Sequence, residues 1–422
     1  MAYIQRNTPQ PNKRFTFTLK EFAGGLNNRS TLLNPNQASD LINMAFTDET
    51  IMQKRFGSKV YGALTMTSPL RWLDEYRPYT DTDQLVRSTD TKLYVGDTLV
   101  SSVIGANVDG LNFQGKYFYT DSLGLFVWGK YPQVTTTYEK VVGTPTTAYK
   151  KMQVVSCPTS YTQLDDTHVR GVTVYNYTAG TIHYEPCNKE KLDPYKGASI
   201  LPAVPRFCAN LRGRMYLSGS AKDNDNVFIS DAGNPYYFPV ALPMQVPPNS
   251  DRVRGLIVYD DSVVVGRRDD LHVITGLTNN PELGVDMFQL TRLNTHTGFA
   301  GNKTASVAHN YLFFLGHDGN AYSLGSTRGG NKELATTIIS NQLNIFEAPI
   351  GVVQADLQLA TTYFFGDMWY VSINDKVLVY SYRHRAWTLY NSLHIRSMYN
   401  QDGKLIWGNE AGQTCEFSSD YL

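Results

Sequence analysis

The stretch that decides the fold runs from Leu357 to Tyr390 and reads LQLATTYFFGDMWYVSINDKVLVYSYRHRAWTLY. Short runs rich in aromatic and β-branched residues are separated by turn residues such as Gly366-Asp367 and Asn374-Asp375. Alternating runs bounded by such residues are typical of β-strands joined by tight hairpins. The stretch therefore predicts four consecutive antiparallel strands.

The same unit returns along the chain. Copies begin at Leu70, Leu111, Phe207, Val253, Thr304, Leu357 and Leu393. Four-stranded units that repeat at roughly 40 to 50 residues are typical of a β-propeller, whose blades stack around an axis. The sequence thus predicts an all-β fold, a β-propeller of six or seven blades. The number of blades stays open because the outer strand of the third unit is weak.

The last unit lacks an obvious fourth strand. A closed ring leaves no open end, so a strand from elsewhere in the chain is expected to complete it. Two N-terminal runs could do so, FTFTL at Phe15–Leu19 or KVYG at Lys59–Gly62. Paired aromatic residues of the repeats are expected to pack between blades: Tyr117 with Tyr119, Tyr311 with Phe313, and Trp369 with Tyr370.

Two segments interrupt the repeat. Near the N-terminus, Asn34 is a good helix N-cap, Pro35 suits the first helical position and Gln37 the third, which predicts a short helix from Pro35 to Met44. Residues 144–204 contain alternating runs of their own and predict a small inserted β subdomain. The predicted organisation is 1–63 (closing strand, helix and contact segment), 64–143 (first blades), 144–204 (insertion) and 205–422 (remaining blades).

Composition limits the function. The 422 residues include 38 Lys and Arg and 38 Asp and Glu, so the net charge is zero, which argues against a dedicated nucleic-acid binder. Charged residues make up only 18% and aromatic residues 12%, a profile expected of an all-β protein with large protein interfaces. The sequence contains no run of 18 apolar residues, so it predicts no membrane span.

The sequence contains no recognisable catalytic or cofactor motif. The four cysteines contain no CxxC pair, and the histidines show no spacing typical of a metal site. Adjacent acids such as Asp260-Asp261 fit a hairpin turn better than an acid–base pair, because neighbouring strand residues point to opposite faces. The sequence therefore predicts no enzyme, no cofactor and no metal.

One N-terminal stretch carries a family resemblance. Glu21 to Gly62 reads EFAGGLNNRSTLLNPNQASDLINMAFTDETIMQKRFGSKVYG, with a Gly-Gly-Leu-Asn turn and a Lys-Arg-x-Gly element at Lys54–Gly57. It resembles the opening of the tail nozzle or hub proteins of short-tailed bacteriophages, also called tail-stabilisation or DNA-stabilisation proteins. Later blades are similar to that family too: NLRGRMYLSGSAKDNDNVFISDAGNPYYF from Asn210, YLFFLGHDGNAYSLG from Tyr311 and KVLVYSYRHRAWTLY from Lys376.

The resemblance implies a structural protein of the virion tail, assembled in the host cytoplasm as a homo-oligomeric ring, usually a hexamer. Its expected partners are further copies of itself, the portal and adaptor proteins, and a tail fibre or a plug or needle. DNA would touch the lumen only transiently during ejection. The alternative readings are a propeller that binds a host receptor or glycan, and a glycan-cleaving propeller.

Two groups of residues are candidates for contacts. The first is expected near the subunit or adaptor contact, unless it only closes the propeller from below: Pro35, Leu41, Ile42, Lys54 and Arg55. The second lies in the insertion and could form one docking face or a small core: Tyr175, Tyr177 and Tyr184.

Overall fold

A computed structural model describes the chain as an all-β protein. It covers residues 24–418 apart from 31–32, 35, 47–51, 80, 103–107, 122, 131–148, 155–161, 164–168, 171, 178–181, 187–203, 221–222, 234, 236–237, 240–243, 248–250, 281–284, 294 and 327–333. Within these residues no helix has the length and apolar character that crossing a membrane requires.

Five strands precede the first full blade: β1 (Gly25–Leu26), β2 (Gln37–Ala38), β3 (Met44–Phe46), β4 (Met52–Lys54) and β5 (Gly57–Thr65). The first two pair in parallel, and β3 and β4 form an antiparallel hairpin. The strand β5 belongs to the last blade, as described below.

The next strands build three blades. Blade one comprises β6 (Trp72–Tyr76), β7 (Gln84–Ser88), β8 (Lys92–Val95) and β9 (Thr98–Ser102). Blade two comprises β10 (Asp109–Phe113), β11 (Lys116–Asp121), β12 (Gly124–Lys130) and β13 (Tyr149–Val154), after which come β14 (Thr162–Gln163), β15 (Val169–Arg170), β16 (Val172–Tyr177) and β17 (Ile182–Pro186). Blade three comprises β18 (Phe207–Leu211), β19 (Arg214–Ser218), β20 (Asn226–Ile229) and β21 (Met244–Gln245).

The remaining strands build four more. Blade four comprises β22 (Gly255–Tyr259), β23 (Ser262–Gly266), β24 (Leu271–Asn280) and β25 (Val285–Arg292), and blade five β26 (Ala305–Ala308), β27 (Tyr311–Leu315), β28 (Ala321–Ser326) and β29 (Leu334–Ile338). A 3₁₀ helix at Gln354–Leu359 leads into blade six, which comprises β30 (Thr361–Phe365), β31 (Met368–Ile373), β32 (Lys376–Ser381) and β33 (Ala386–Asn391). Blade seven comprises β34 (Ser397–Gln401), β35 (Lys404–Gly408) and β36 (Gln413–Ser418), with β5 as its outer strand.

The blades form a seven-bladed β-propeller, which decides between the six and seven left open by the sequence. The KVYG run lies inside β5, and β5 pairs antiparallel with β36. The ring is therefore closed by a strand from the N-terminal part of the chain, as predicted for this run. The other candidate, Phe15–Leu19, lies outside the described residues.

The cores lie between neighbouring blades, where each sheet presents a face to the next. Tyr117 and Tyr119 of blade two are fully buried in one cluster with Tyr76 of blade one. The rings of Phe313 in blade five and Trp369 in blade six lie 5.8 Å apart. These aromatic residues pack as predicted, because flat side chains fill the gap between two twisted sheets and bury a large apolar area. Tyr311 differs, since 38% of its surface is exposed at the rim.

The predicted helix from Pro35 to Met44 is wrong for the residues described, and Pro35 lies outside them. The capping residues form a turn instead: the Gln37 amide donates to the Asn34 carbonyl at 2.9 Å, and the Asn34 amide donates to Gln37 Oε1 at 3.2 Å. The chain then pairs with distant strands. Leu389 of blade six donates its amide to the carbonyl of Leu41 at 3.1 Å, and Asn43 donates to the Leu389 carbonyl at 2.7 Å. These tertiary hydrogen bonds satisfy the backbone groups that a helix would have paired locally.

The insertion also differs from expectation. Tyr149–Val154, which was assigned to the insertion, occupies the fourth position of blade two by pairing with β12. The strands β16 and β17 then continue the same sheet to six strands, while β14 and β15 form a separate hairpin. Residues 144–204 therefore include the outer strand of the blade as well as an extension of it.

Candidate functional site: the mouth of the central channel

The inner strands of the seven blades, β6, β10, β18, β22, β26, β30 and β34, stand around the central channel. Every blade follows the same inner-to-outer order, so these strands run in the same direction and start at one end of the channel. Side chains just before the start of each inner strand therefore meet at one mouth.

That mouth holds a cavity of about 240 Å³ to which all seven blades contribute. Six basic side chains line it, and we call them the cationic mouth: Arg71, Arg206, Arg252, Arg254, Lys303 and Arg396. In blades two and six the position before the inner strand holds Val108 and Ala360 instead, and in blade five Lys303 lies two residues before β26. The lining residues include no Asp or Glu among the parts of the chain described.

The same backbone bond positions four of these arginines. Each donates its amide to a carbonyl at or next to the end of the second strand of its own blade: Arg71 to Ser88 at 2.7 Å, Arg206 to Ser218 at 2.9 Å, Arg254 to Gly266 at 2.8 Å and Arg396 to Gly408 at 3.0 Å. Because this bond extends the inner ladder by one residue, the arginines occupy equivalent places in their blades.

The charges of the cationic mouth are only partly balanced. Arg71 forms a bidentate pair with Asp90 (3.0 and 3.2 Å), Arg254 pairs with Asp251 at 2.9 Å, and Arg396 pairs with Glu410. Neither Arg206 nor Arg252 has a carboxylate partner within the described ranges. The cavity therefore carries an excess of positive charge.

Lys303 crosses the channel from blade five to blade one. Its Nζ donates to the carbonyl oxygen of Arg71 at 2.6 Å and lies 4.2 Å from the centre of the Trp72 ring, a cation–π contact. Burial lowers the pKa of Lys303 to about 7, although the nearby Asp109 carboxylate acts in the opposite direction. This side chain bars the channel just below the cavity.

A buried polar network lies beneath Lys303. Trp72 Nε1 donates to the Tyr117 hydroxyl at 3.2 Å, and that hydroxyl donates to Asp74 Oδ2 at 2.7 Å. Burial raises the pKa of Asp74 to about 7, while the bond from Tyr117 lowers it. The network links blades one and two, and it fixes the aromatic ring on which the Lys303 ammonium lies.

A second buried carboxylate, Asp109, connects blade two to blade three. Its Oδ2 accepts the Cys208 amide at 2.9 Å and its Oδ1 accepts the Gly110 amide at 3.0 Å. Burial raises the pKa of Asp109 to about 6, and it raises the pKa of the Cys208 thiol well above its usual value. A thiol of this kind is a poor nucleophile. In the portion of the chain described, no three His, Cys, Asp or Glu residues are grouped in a way that could hold a metal ion.

The residues predicted for the subunit or adaptor contact are not brought together at this mouth. Leu41 is buried in the core of blades five and six, and Ile42 forms a bridge to Leu389. Arg55 is tied to its own segment, since its Nε donates to Asn43 Oδ1 at 2.8 Å and its guanidinium lies 5.7 Å from the Tyr390 ring centre. Pro35 lies outside the described residues, and of the four that are described only Lys54 is exposed. Whether this group takes part in contacts or only closes the propeller stays a prediction.

The three tyrosines of the insertion lie on β16 and β17. Tyr175 pairs with His183, whereas Tyr184 pairs with Val174, so Tyr184 is one register position out of phase with Tyr175 and Tyr177. The docking role of the three tyrosines stays a prediction. Asp260 and Asp261 do form the hairpin turn between β22 and β23, with positive φ angles of 42° and 62°.

Sequence reasoning missed the cationic mouth. A signal was present, because four units place an apolar residue and then an arginine directly before the inner strand: Leu70-Arg71, Pro205-Arg206, Val253-Arg254 and Ile395-Arg396. Aligning the units on their inner strands would have shown a basic position repeated around a ring. The overall net charge of zero concealed it.

Comparison with known proteins finds structural similarity at low sequence identity. No family model matches the chain, and no curated protein matches it. Similar solved structures include the computationally designed Ika8 protein (11% identity, TM-score 0.42, covering 87% of this chain and 100% of that chain) and BamB from Moraxella catarrhalis (11%, 0.42, 86% and 98%). A third is the Pan2 WD40 domain of Neurospora crassa (7% identity, TM-score 0.39, 86% and 94%). The class that the structure defines is a seven-bladed β-propeller with a basic channel mouth.

Proposed function

We propose that this chain is a structural protein of the tail of a short-tailed bacteriophage. It would form a homo-oligomeric ring, most simply a hexamer, below the portal and adaptor. The ring would retain packaged DNA, conduct it during ejection, and offer docking surfaces to a fibre or to a plug. In this role the chain carries out no catalysis.

The observation that carries the proposal is the position of the segment with the family resemblance. Glu21–Gly62 includes the start of β5, which closes the propeller, and the strands that cover blade six. The residues that resemble the family are thus integral to this fold, as expected if the family shares its architecture. The low charged content of 18% also supports large interfaces between copies.

DNA would pass through a lumen enclosed by several copies of the chain, and not through the central channel of one propeller. Lys303 bars the central channel of the propeller, and a duplex whose major groove alone is about 12 Å wide cannot pass a channel crossed by one side chain. A conduit therefore requires a lumen at the centre of a ring of copies. A net charge of zero would limit the grip of that lumen on passing phosphates.

The test is the copy number and the place of the chain in virions. Quantitative mass spectrometry of purified particles, with the major capsid protein as internal standard, should give a copy number equal to the order of a ring. Cryo-electron microscopy of particles carrying a tag at the C-terminus should place the tag density around the distal tail tube.

Two results would count against the proposal. One copy per virion excludes a ring, and a trimer at the fibre tips favours the receptor-binding or glycan-binding alternative. A chain that is absent from purified particles would remove the virion role altogether.

A further inference from the structure

We propose that the cationic mouth is a binding site for a phosphorylated anion, whose phosphoryl group enters the cavity and is held by Arg206, Arg252 and the neighbouring guanidinium groups. The proposal concerns one propeller by itself and does not depend on a role in a phage tail.

The first argument is charge. Six basic side chains from five blades line one cavity of about 240 Å³, and no acid lines it among the residues described. Like charges gathered in a partly desolvated space repel one another, and the repulsion is relieved when an anion enters. The three carboxylates that pair with Arg71, Arg254 and Arg396 leave Arg206 and Arg252 without a carboxylate partner in the described part of the chain.

The second argument is the type of donor. Five of the six groups are guanidinium groups, which present planar forks of N–H donors that match phosphate oxygens two at a time. Arg206 and Arg252 have no carboxylate partner in the described part of the chain, so binding an anion breaks no existing ion pair of theirs. These two residues should therefore contribute most to affinity.

The third argument is preorganisation. The same backbone hydrogen bond fixes four of the arginines in equivalent places of their blades: Arg71, Arg206, Arg254 and Arg396. Lys303 is held across the channel by its hydrogen bond to the Arg71 carbonyl oxygen. These four arginines directly precede inner strands, so little backbone ordering is needed there when a ligand binds. Desolvation lowers the pKa of Lys303 to about 7. A bound anion would act against desolvation and favour the charged ammonium group.

The size of the cavity limits the ligand. Pockets for drug-sized molecules usually measure about 300–1,000 Å³, so this cavity accommodates a small group and not a duplex. The phosphoryl group could belong to a free solute or to the terminal phosphate of a nucleic-acid strand. Both share the chemistry proposed here, and the experiment separates them.

The experiment is isothermal titration calorimetry of the full-length chain with sodium tripolyphosphate at low ionic strength. We expect saturable binding at a single site that weakens as salt is added, because salt screens the attraction. The double variant R206Q/R252Q should bind at least about tenfold more weakly, since each charge-assisted contact contributes that order of affinity.

A matched control removes two arginines elsewhere. Arg212 lies at the opposite end of β18 from Arg206, and Arg385 lies in the hairpin between β32 and β33, on the face of the propeller away from the mouth. The variant R212Q/R385Q changes the net charge by the same amount and should keep the wild-type affinity. Thermal melting of both variants checks that each folds.

A second arm distinguishes the sources. A short single-stranded oligonucleotide with a 5′-phosphate is compared with the same strand ending in a 5′-hydroxyl. Binding that requires the phosphate identifies a strand end as the ligand, whereas binding of tripolyphosphate alone identifies a free solute. The proposal is overturned if tripolyphosphate shows no saturable binding, or if both double variants lose affinity equally.

Discussion

Lys59, near the start of the described chain, and Glu416, near its end, are register partners in blade seven, and their Nζ and Oε1 atoms lie 3.4 Å apart. The two strands that hold them, β5 and β36, come from opposite ends of the sequence. Their pairing removes the open edges that a linear row of blades would leave. The stability of the whole ring therefore depends on this one strand pair.

Locking the strand pair should stabilise the propeller. Val60 lies directly opposite Cys415 in the register, so a V60C substitution places two thiols across the closure. Opposite residues in an antiparallel pair lie within the range of a disulfide. We expect oxidation to form the bond and to stabilise the fold by about 2–4 kcal/mol, because it closes a very long loop. Non-reducing gel mobility and urea denaturation measure both effects.

The neighbouring position supplies the control. Lys59 pairs with Glu416, one residue out of phase with Cys415, so the K59C variant should not crosslink with Cys415. If K59C crosslinks with Cys415 and V60C does not, the register described between β5 and β36 is wrong.

The insertion can be removed only beyond β13. Replacing residues 157–203 by a short Gly/Ser linker keeps Tyr149–Val154 as the outer strand of blade two, and the propeller should fold. Replacing 146–202 removes that strand, exposes the edge of β12 and should lower the melting temperature or cause aggregation. Circular dichroism melts and size-exclusion chromatography compare the two. Equal behaviour would mean that β13 is not needed by the blade.

Trp369 should be among the residues whose loss costs most. It is fully buried between blades five and six, with ring centres 5.8 Å from Phe313 and 5.9 Å from Trp387. A W369A substitution leaves a large cavity and should lower the free energy of unfolding by about 3–5 kcal/mol, as measured by urea denaturation. The V353A control removes atoms from a side chain that is 59% exposed. It should change the free energy of unfolding by less than about 0.5 kcal/mol. Equal costs would contradict the packing described.

Asp74 should make stability depend on pH. Its pKa is raised from 3.8 to about 7, chiefly by burial, so its contribution to stability is complete below about pH 4 and is lost as the pH rises to about 7. The D74N variant carries no such charge. Its free energy of unfolding should therefore fall less than that of the wild type over this interval.

The matched control for D74N is D402N. Asp402 is exposed in the hairpin turn between β34 and β35, where its φ of 51° suits asparagine as well as aspartate. Its profile of unfolding free energy against pH should run parallel to that of the wild type. A D74N profile that also runs parallel would show that Asp74 is not desolvated in the fold.

The sequence alone determined the repeat. Runs such as MWYVSIND and KVLVYSYRH specify strands and hairpins through local alternation and turn residues, and their number around the chain predicts a propeller. The KVYG run could be proposed as the closing strand because blade seven lacked a partner. These inferences hold because strand period and turn chemistry are local properties that each unit repeats.

Only the tertiary structure decided the rest. Asn34 and Gln37 carry good helix signals, yet non-local hydrogen bonds of Leu41 and Asn43 to blade six outcompete the helix. Tyr149–Val154 was assigned to the insertion and not to blade two, because alternation does not tell which run reaches the edge of β12. The cationic mouth was missed for a related reason. Arg71, Arg206 and Arg396 are far apart in sequence and meet only because closure of the ring brings the start of every inner strand to one end of the channel.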